Sequence, residues 1–135
     1  MTPYGLSIKT ILPFDEAVDA MTHALKTEGF GVLTEINVQA TLKKKINVSF
    51  RRYLILGACN PPLAYEALQN ELEIGLLMPC NVILYETDEG ETAVSIANPM
   101  AMVSITNVPA LQKMATQAKA KLPRAPHRHQ VLERR

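Results

Sequence analysis

Two Cys-Asn steps stand out in this chain: Cys59-Asn60, followed by Pro61, and Cys80-Asn81, preceded by Pro79. Cys59 ends an apolar run and precedes Asn60-Pro61-Pro62, a helix-start signature with Asn at the cap and Pro at the first helical position. A thiol there lies where unpaired N–H groups and the helix dipole favour its thiolate. Cys59 is therefore a candidate nucleophile or soft-metal ligand. The plainer reading is a small residue packing the Gly57-Ala58-Cys59 joint, since buried free cysteines behave as hydrophobes. Cys80 can meet Cys59 if the strands holding them are antiparallel neighbours, because both thiols then lie at the same end of the sheet. A parallel crossover would put them at opposite ends.

Asn60 and Asn81 complete the ligand-binding candidates, although capping and turn roles also explain these amides. Met78, Met100 and Met102 add soft sulfur, so Cys59, Cys80 and Met100 are candidate ligands for Cu(I) or Zn. Methionines filling gaps in an aromatic-poor core account for the same pattern. Tyr53, Tyr65 and Tyr85 can supply polar tips at a pocket or subunit surface. His23 falls on an expected helix, and His127 and His129 make an i, i+2 pair in the tail. No Ser-His-Asp order, phosphate-cradling Gly loop or spaced carboxylate pair is present. No catalytic residue or cofactor is assigned.

The elements that must position these residues follow from periodicity and punctuation. Tyr4 to Leu12 alternates as a strand and stops at Pro13. A helix follows, with Phe14 and Val18 as a staple and Val18, Met21 and Leu25 on one face, ending at Gly29. Phe30 to Ile36 is the second strand. Asn37 caps a short helix through Val38, Leu42 and Ile46, with Lys43, Lys44 and Lys45 turned to water. Arg52 to Ala58 is the third strand, and Asn60 caps the next helix, with Ala64, Leu68 and Leu72 on its buried face. An apolar stretch from Gly75 to Tyr85, interrupted by Pro79, places Cys80 inside a strand. Asp88-Glu89-Gly90 turns into Glu91 to Ala97, and Asn98-Pro99 closes that strand. A last helix starts at Asn107 to Pro109 and buries Val108, Leu111, Met114 or Ala115, Ala118 and Leu122.

With 135 residues, 47% of them hydrophobic, the chain can build one real core without staples. With only 5% aromatics and no Trp, that core must be aliphatic. A single α+β domain over residues 1–123 and a polar basic tail over 124–135 are expected. A net charge of +1 gives no overall drive toward nucleic acid. The cluster Lys43, Lys44, Lys45, Arg51 and Arg52 lacks interleaved aromatics for base stacking, and Glu86 to Glu91 reads as a solvated hairpin. No secretory leader pattern and no membrane-length apolar run of roughly 18 residues is seen, so a cytoplasmic protein with free thiols is expected.

The blocks Gly29-Phe30-Gly31-Val32-Leu33-Thr34-Glu35-Ile36, Thr41 to Lys45, Tyr53 to Ala64, Ile74 to Val82 and Asn98-Pro99-Met100 resemble the domain of unknown function 302 family. The resemblance spans roughly Lys9 to Ala118. It implies a TATA-binding-protein-like α+β fold, with helices on one face of a curved, mainly antiparallel sheet, and a homodimer. Many relatives would carry Asp-Pro where this chain has Asn98-Pro99, which leaves no carboxylate at that point.

Three readings follow. The first is a homodimeric binding module with a small-molecule or soft-metal site around Cys59, Asn60, Cys80 and Asn81. The second is a thiol-dependent redox or transfer enzyme using Cys59. The third is a structural or interaction protein without chemistry.

Overall fold

The structure, a computed structural model, describes residues 2–121. Five strands form one open sheet in the order β1-β5-β4-β3-β2: β1 Gly5–Thr10, β2 Gly31–Asn37, β3 Tyr53–Cys59, β4 Cys80–Glu86 and β5 Thr92–Ala97. Every neighbouring pair is antiparallel. The expected α+β class with an antiparallel sheet and helices is what the chain adopts.

The register explains the core. Leu56 pairs with Val82, which pairs with Ile96, and Leu54 pairs with Leu84, which pairs with Val94. Successive strand residues face opposite sides, so these six side chains share one face. Helix α1 (Phe14–Thr27) covers that face with Ala17, Met21, Ala24 and Leu25, and all ten residues are buried in one cluster. Burying each large aliphatic contributes about 1.5–3 kcal/mol.

The end of α1 follows from its sequence. Gly29 takes a left-handed φ of 86°. Its N–H reaches the Lys26 carbonyl at 3.0 Å, and the Phe30 N–H reaches the Leu25 carbonyl at 2.8 Å. This is the paired closure of a Schellman ending, with Phe30 and Leu25 buried together. At its other end, the Arg52 guanidinium lies 4.3 Å above the Phe14 ring and pairs with Asp15.

Helix α2 (Val38–Ile46) starts where Asn37 Oδ1 accepts the Ala40 N–H at 2.9 Å. It has no fully buried residue, and Lys43, Lys44 and Lys45 are exposed as expected. Helix α3 (Pro61–Asn70) leads into a 3₁₀ turn over Leu72–Leu77. Gly75 to Met78 thus stands outside the strand, and Cys80 is the first residue of β4. The β4–β5 hairpin closes through Thr87 and Glu91, with Gly90 at a φ of 84°. Asp88 of that hairpin pairs with Arg51 at 2.9 Å.

After β5 the sequence reading missed a helix. Asn98 and Pro99 open α4 (Pro99–Val103), with Asn98 Oδ1 accepting the Met100 N–H at 3.1 Å. Helix α5 runs over Pro109–Lys121 and buries Leu111, Met114, Ala115 and Ala118. Leu122, His127, His129 and the basic tail lie outside the described residues. Ile74, Leu111 and Met114 form a second, smaller core, against which Ala67, Leu77 and Val103 pack. No helix among the described residues is long and apolar enough to cross a membrane.

Candidate functional site

Because β3 and β4 are antiparallel neighbours, the end of one and the start of the other lie together. Ala58 stands directly opposite Cys80, and Gly57 opposite Asn81. Cys59 follows Ala58 and is paired on its other side with Gly31. The two Cys-Asn steps, 21 positions apart in sequence, therefore converge at one end of the sheet. Both cysteines are free and half-buried.

At this sheet end lies a cavity of about 280 Å³. Cys59, Asn60, Cys80 and Asn81 all line it, together with Ala58 and Ala97 from the sheet. Its far wall is aliphatic: Leu63, Ala64 and Ala67 of α3, Leu77 of the 3₁₀ turn, and Leu111 and Met114 of α5. Leu76, which also lines it, is largely exposed and marks an apolar mouth. Met78 and Met102 belong to the lining, whereas Met100 does not: its sulfur accepts the Thr116 hydroxyl at 3.2 Å.

The cavity has an unusual electrostatic character. Among the described residues that line it, none is Lys, Arg, His, Asp or Glu. Burial pushes the Cys80 thiol up from its ordinary pKa, and the neighbouring Cys59 adds to the rise. Cys80 therefore favours its neutral form.

The start of α3 sharpens the expectation for Cys59. Asn60 Oδ1 accepts the Leu63 N–H at 3.2 Å, and the Asn60 carbonyl accepts the Ala64 N–H at 2.9 Å. Pro61 and Pro62 carry no N–H at all. The first turn thus holds no unoccupied backbone donor for a thiolate, so the helix-start argument loses its hydrogen-bonding half. Asn60 is itself 8% exposed. With Oδ1 engaged in the cap, its Nδ2 has no hydrogen-bond partner among the described residues.

A close approach holds Pro79, one of the lining residues, against β3. A Cβ on Gly57 would lie 2.2 Å from Thr34 Oγ1 and 2.7 Å from Pro79 Cγ. Only glycine lets the Pro79 ring rest on β3, and Pro79 leads directly into Cys80.

The remaining candidates lie elsewhere. Tyr53 and Tyr85 stack at 5.4 Å between ring centroids, on the sheet face opposite Leu54 and Leu84. Burial, then Tyr85, raises the Tyr53 hydroxyl's pKa. Tyr65 is exposed. His23 is on α1. Among the described residues, no group of three or more His, Cys, Asp or Glu is placed to hold a metal ion. The closed four-ligand set of a structural zinc site is thus missing there. Sequence reasoning overlooked the aliphatic wall from α3, the 3₁₀ turn and α5. Its signal was the small-residue row Ala64 and Ala67 facing Leu111 and Met114 across two helices.

Comparison with known proteins places the chain in a family. No curated protein matches it. The crystal structure of an uncharacterized conserved DUF302 protein from Bacillus stearothermophilus superposes with a TM-score of 0.85 at 27% sequence identity, covering 92% of this chain and 96% of that one. The family model described as "Domain of unknown function DUF302" matches residues 6–127, nearly the whole length, and on that match the chain belongs to this family.

Proposed function

We propose that the protein is a homodimeric binding module that holds a small molecule in the cavity between the strand ends, α3 and α5. The reading rests on one observation: both Cys-Asn steps line a single aliphatic cavity. A volume of about 280 Å³ sits near the lower end of small-molecule sites, roughly 300–1,000 Å³. Native mass spectrometry of the purified protein tests it. A co-purifying mass that is lost in Ala67→Trp, which fills the cavity, supports the reading. An empty cavity, with unchanged small-molecule binding in Ala67→Trp, overturns it.

The homodimer is supported by the apolar surface around the edge strand β2. Leu33 and Ile36 on β2, Ile46 at the end of α2, and Val48 and Phe50 beyond it are all exposed. One side of β2 also has no partner strand among the described residues, and such an edge invites pairing with another chain. Light scattering on the native protein and on Ile36→Lys reads this directly.

A second reading, a soft monovalent metal held by both thiols, is favoured by Met78 and Met102 in the same lining. The same spectrum distinguishes it by a metal mass that Cys59→Ser and Cys80→Ser each abolish. A nucleophilic enzyme is less well supported, because the described residues of the cavity lining offer Cys59 no general base.

A further inference from the structure

We infer that the ligand of this cavity is a neutral aliphatic molecule with one oxygen-bearing head group of the alcohol or amide class, the head at the Asn60 end and the tail between α3 and α5. This rests on the cavity being a ligand site, as proposed above, and names what it selects. Two features argue against an anionic head, and a third calls for an acceptor oxygen.

The first is charge. No described lining residue carries any, so among these residues a carboxylate or phosphate would find no counter-ion. Desolvating an unpaired ion costs several kcal/mol even after relaxation.

The second is the helix start. A helix N-terminus normally receives anions through unpaired N–H groups. Here the prolines at 61 and 62 remove two donors, and Asn60 occupies the Leu63 and Ala64 donors. The ready-made anion site is closed from within.

The third is what remains unsatisfied. Asn60 Nδ2 is a buried donor with no partner among the described residues. Buried donors are nearly always paired, so this one calls for an acceptor oxygen. A neutral carbonyl or hydroxyl supplies it without bringing a charge. Asn81 and the uncharged Cys80 thiol add weaker polar contacts at the same end. The tail length follows from volume. At about 30 Å³ for each water-sized group, 280 Å³ holds about nine such groups, a chain of roughly eight carbons with its head.

The test uses the full-length protein and the neutral fluorophore N-phenyl-1-naphthylamine as reporter. Octanamide, 1-octanol and octanoate compete against it at pH 8, where octanoate is ionised. Octanamide and octanol should displace the fluorophore at least tenfold more effectively than octanoate. Asn60→Ser, which keeps a capping oxygen, should narrow that preference by weakening octanamide. If octanoate competes as well as octanamide, the inference of a neutral head is wrong, while the cavity remains a ligand site. If the fluorophore fails to bind the wild type, or binds Ala67→Trp equally well, the cavity reading falls and this inference with it.

Discussion

Replacing Gly57 by alanine probes the close approach of Pro79 and Thr34 to β3. The added methyl would stand 2.2 Å from Thr34 Oγ1 and 2.7 Å from Pro79 Cγ, far inside ordinary contact. Two effects oppose each other. Gly57 has no left-handed φ, so alanine fits its backbone and gains about 0.4–1 kcal/mol by restricting the unfolded chain. Overpacking a tight site costs about 1–3 kcal/mol. The clash should win, leaving a net loss of about 1–2 kcal/mol. For a domain of this size that lowers Tm by about 4–7 °C.

The two clashes differ in how they relax. Thr34 is exposed and its hydroxyl can rotate away, whereas Pro79 is a ring fixed in the backbone. Thr34→Ala in the Gly57→Ala background should therefore recover only part of the loss, because the proline contact stays. Urea unfolding of the four variants of this cycle gives the coupling energy. The Cys80 amide resonance should also shift in Gly57→Ala, since Pro79 must move. A Gly57→Ala protein as stable as wild type, or one fully rescued by Thr34→Ala, would refute the reasoning.

Three other perturbations test separate parts of the structure. Asn60→Ala removes the α3 cap and should cost about 0.5–2 kcal/mol in denaturant unfolding; a neutral result would mean that the Leu63 N–H finds another acceptor. The raised pKa of Cys80 means that the unfolded chain releases this proton at lower pH than the folded one. Its stabilising effect is therefore complete below the free-thiol range, near pH 8.5, and is lost as pH rises through the higher folded value. Stability curves between pH 7 and 10 should fall less steeply in Cys80→Ser than in wild type, and parallel curves would contradict that origin. Ile36→Lys, on the exposed edge strand, should shift the light-scattering mass toward the monomer with an unchanged circular dichroism spectrum; an unaltered mass would remove β2 from the interface.

Much of the architecture was legible where local chemistry and tertiary packing agree. Gly29, Asn37 and Asn60 each announced a helix boundary, and each boundary is closed by the bonds that residue type provides. The buried stripe of α5 was readable from Leu111 to Ala118. The 3₁₀ turn was misread because Gly75 to Tyr85 is one apolar run, and hydrophobicity alone does not distinguish a strand from a turn sealing a second core. Helix α4 was missed although Asn98-Pro99 repeats the cap-and-proline pattern of Asn60-Pro61. At five residues it is too short to leave a periodic stripe. For the site, sequence located the two Cys-Asn steps, but their meeting required the antiparallel β3–β4 register. The cavity itself depends on helices contributed from distant stretches, and no local pattern encodes that distance.

The strand order carries a consequence for how the protein is made. Among the described residues β1 is the first strand, yet its only partner is β5. Ser7 meets Ser95 across 88 positions, their hydroxyls 2.8 Å apart. At synthesis rates of about 5–20 residues per second, β1 waits roughly 4–18 s for that partner to be made. Meanwhile β2, β3 and β4 can already pair, leaving β4 as a temporary edge. Leu6 and Ile8 must stay out of wrong pairings for that interval, and the sheet is completed only when the hairpin brings β5 between them.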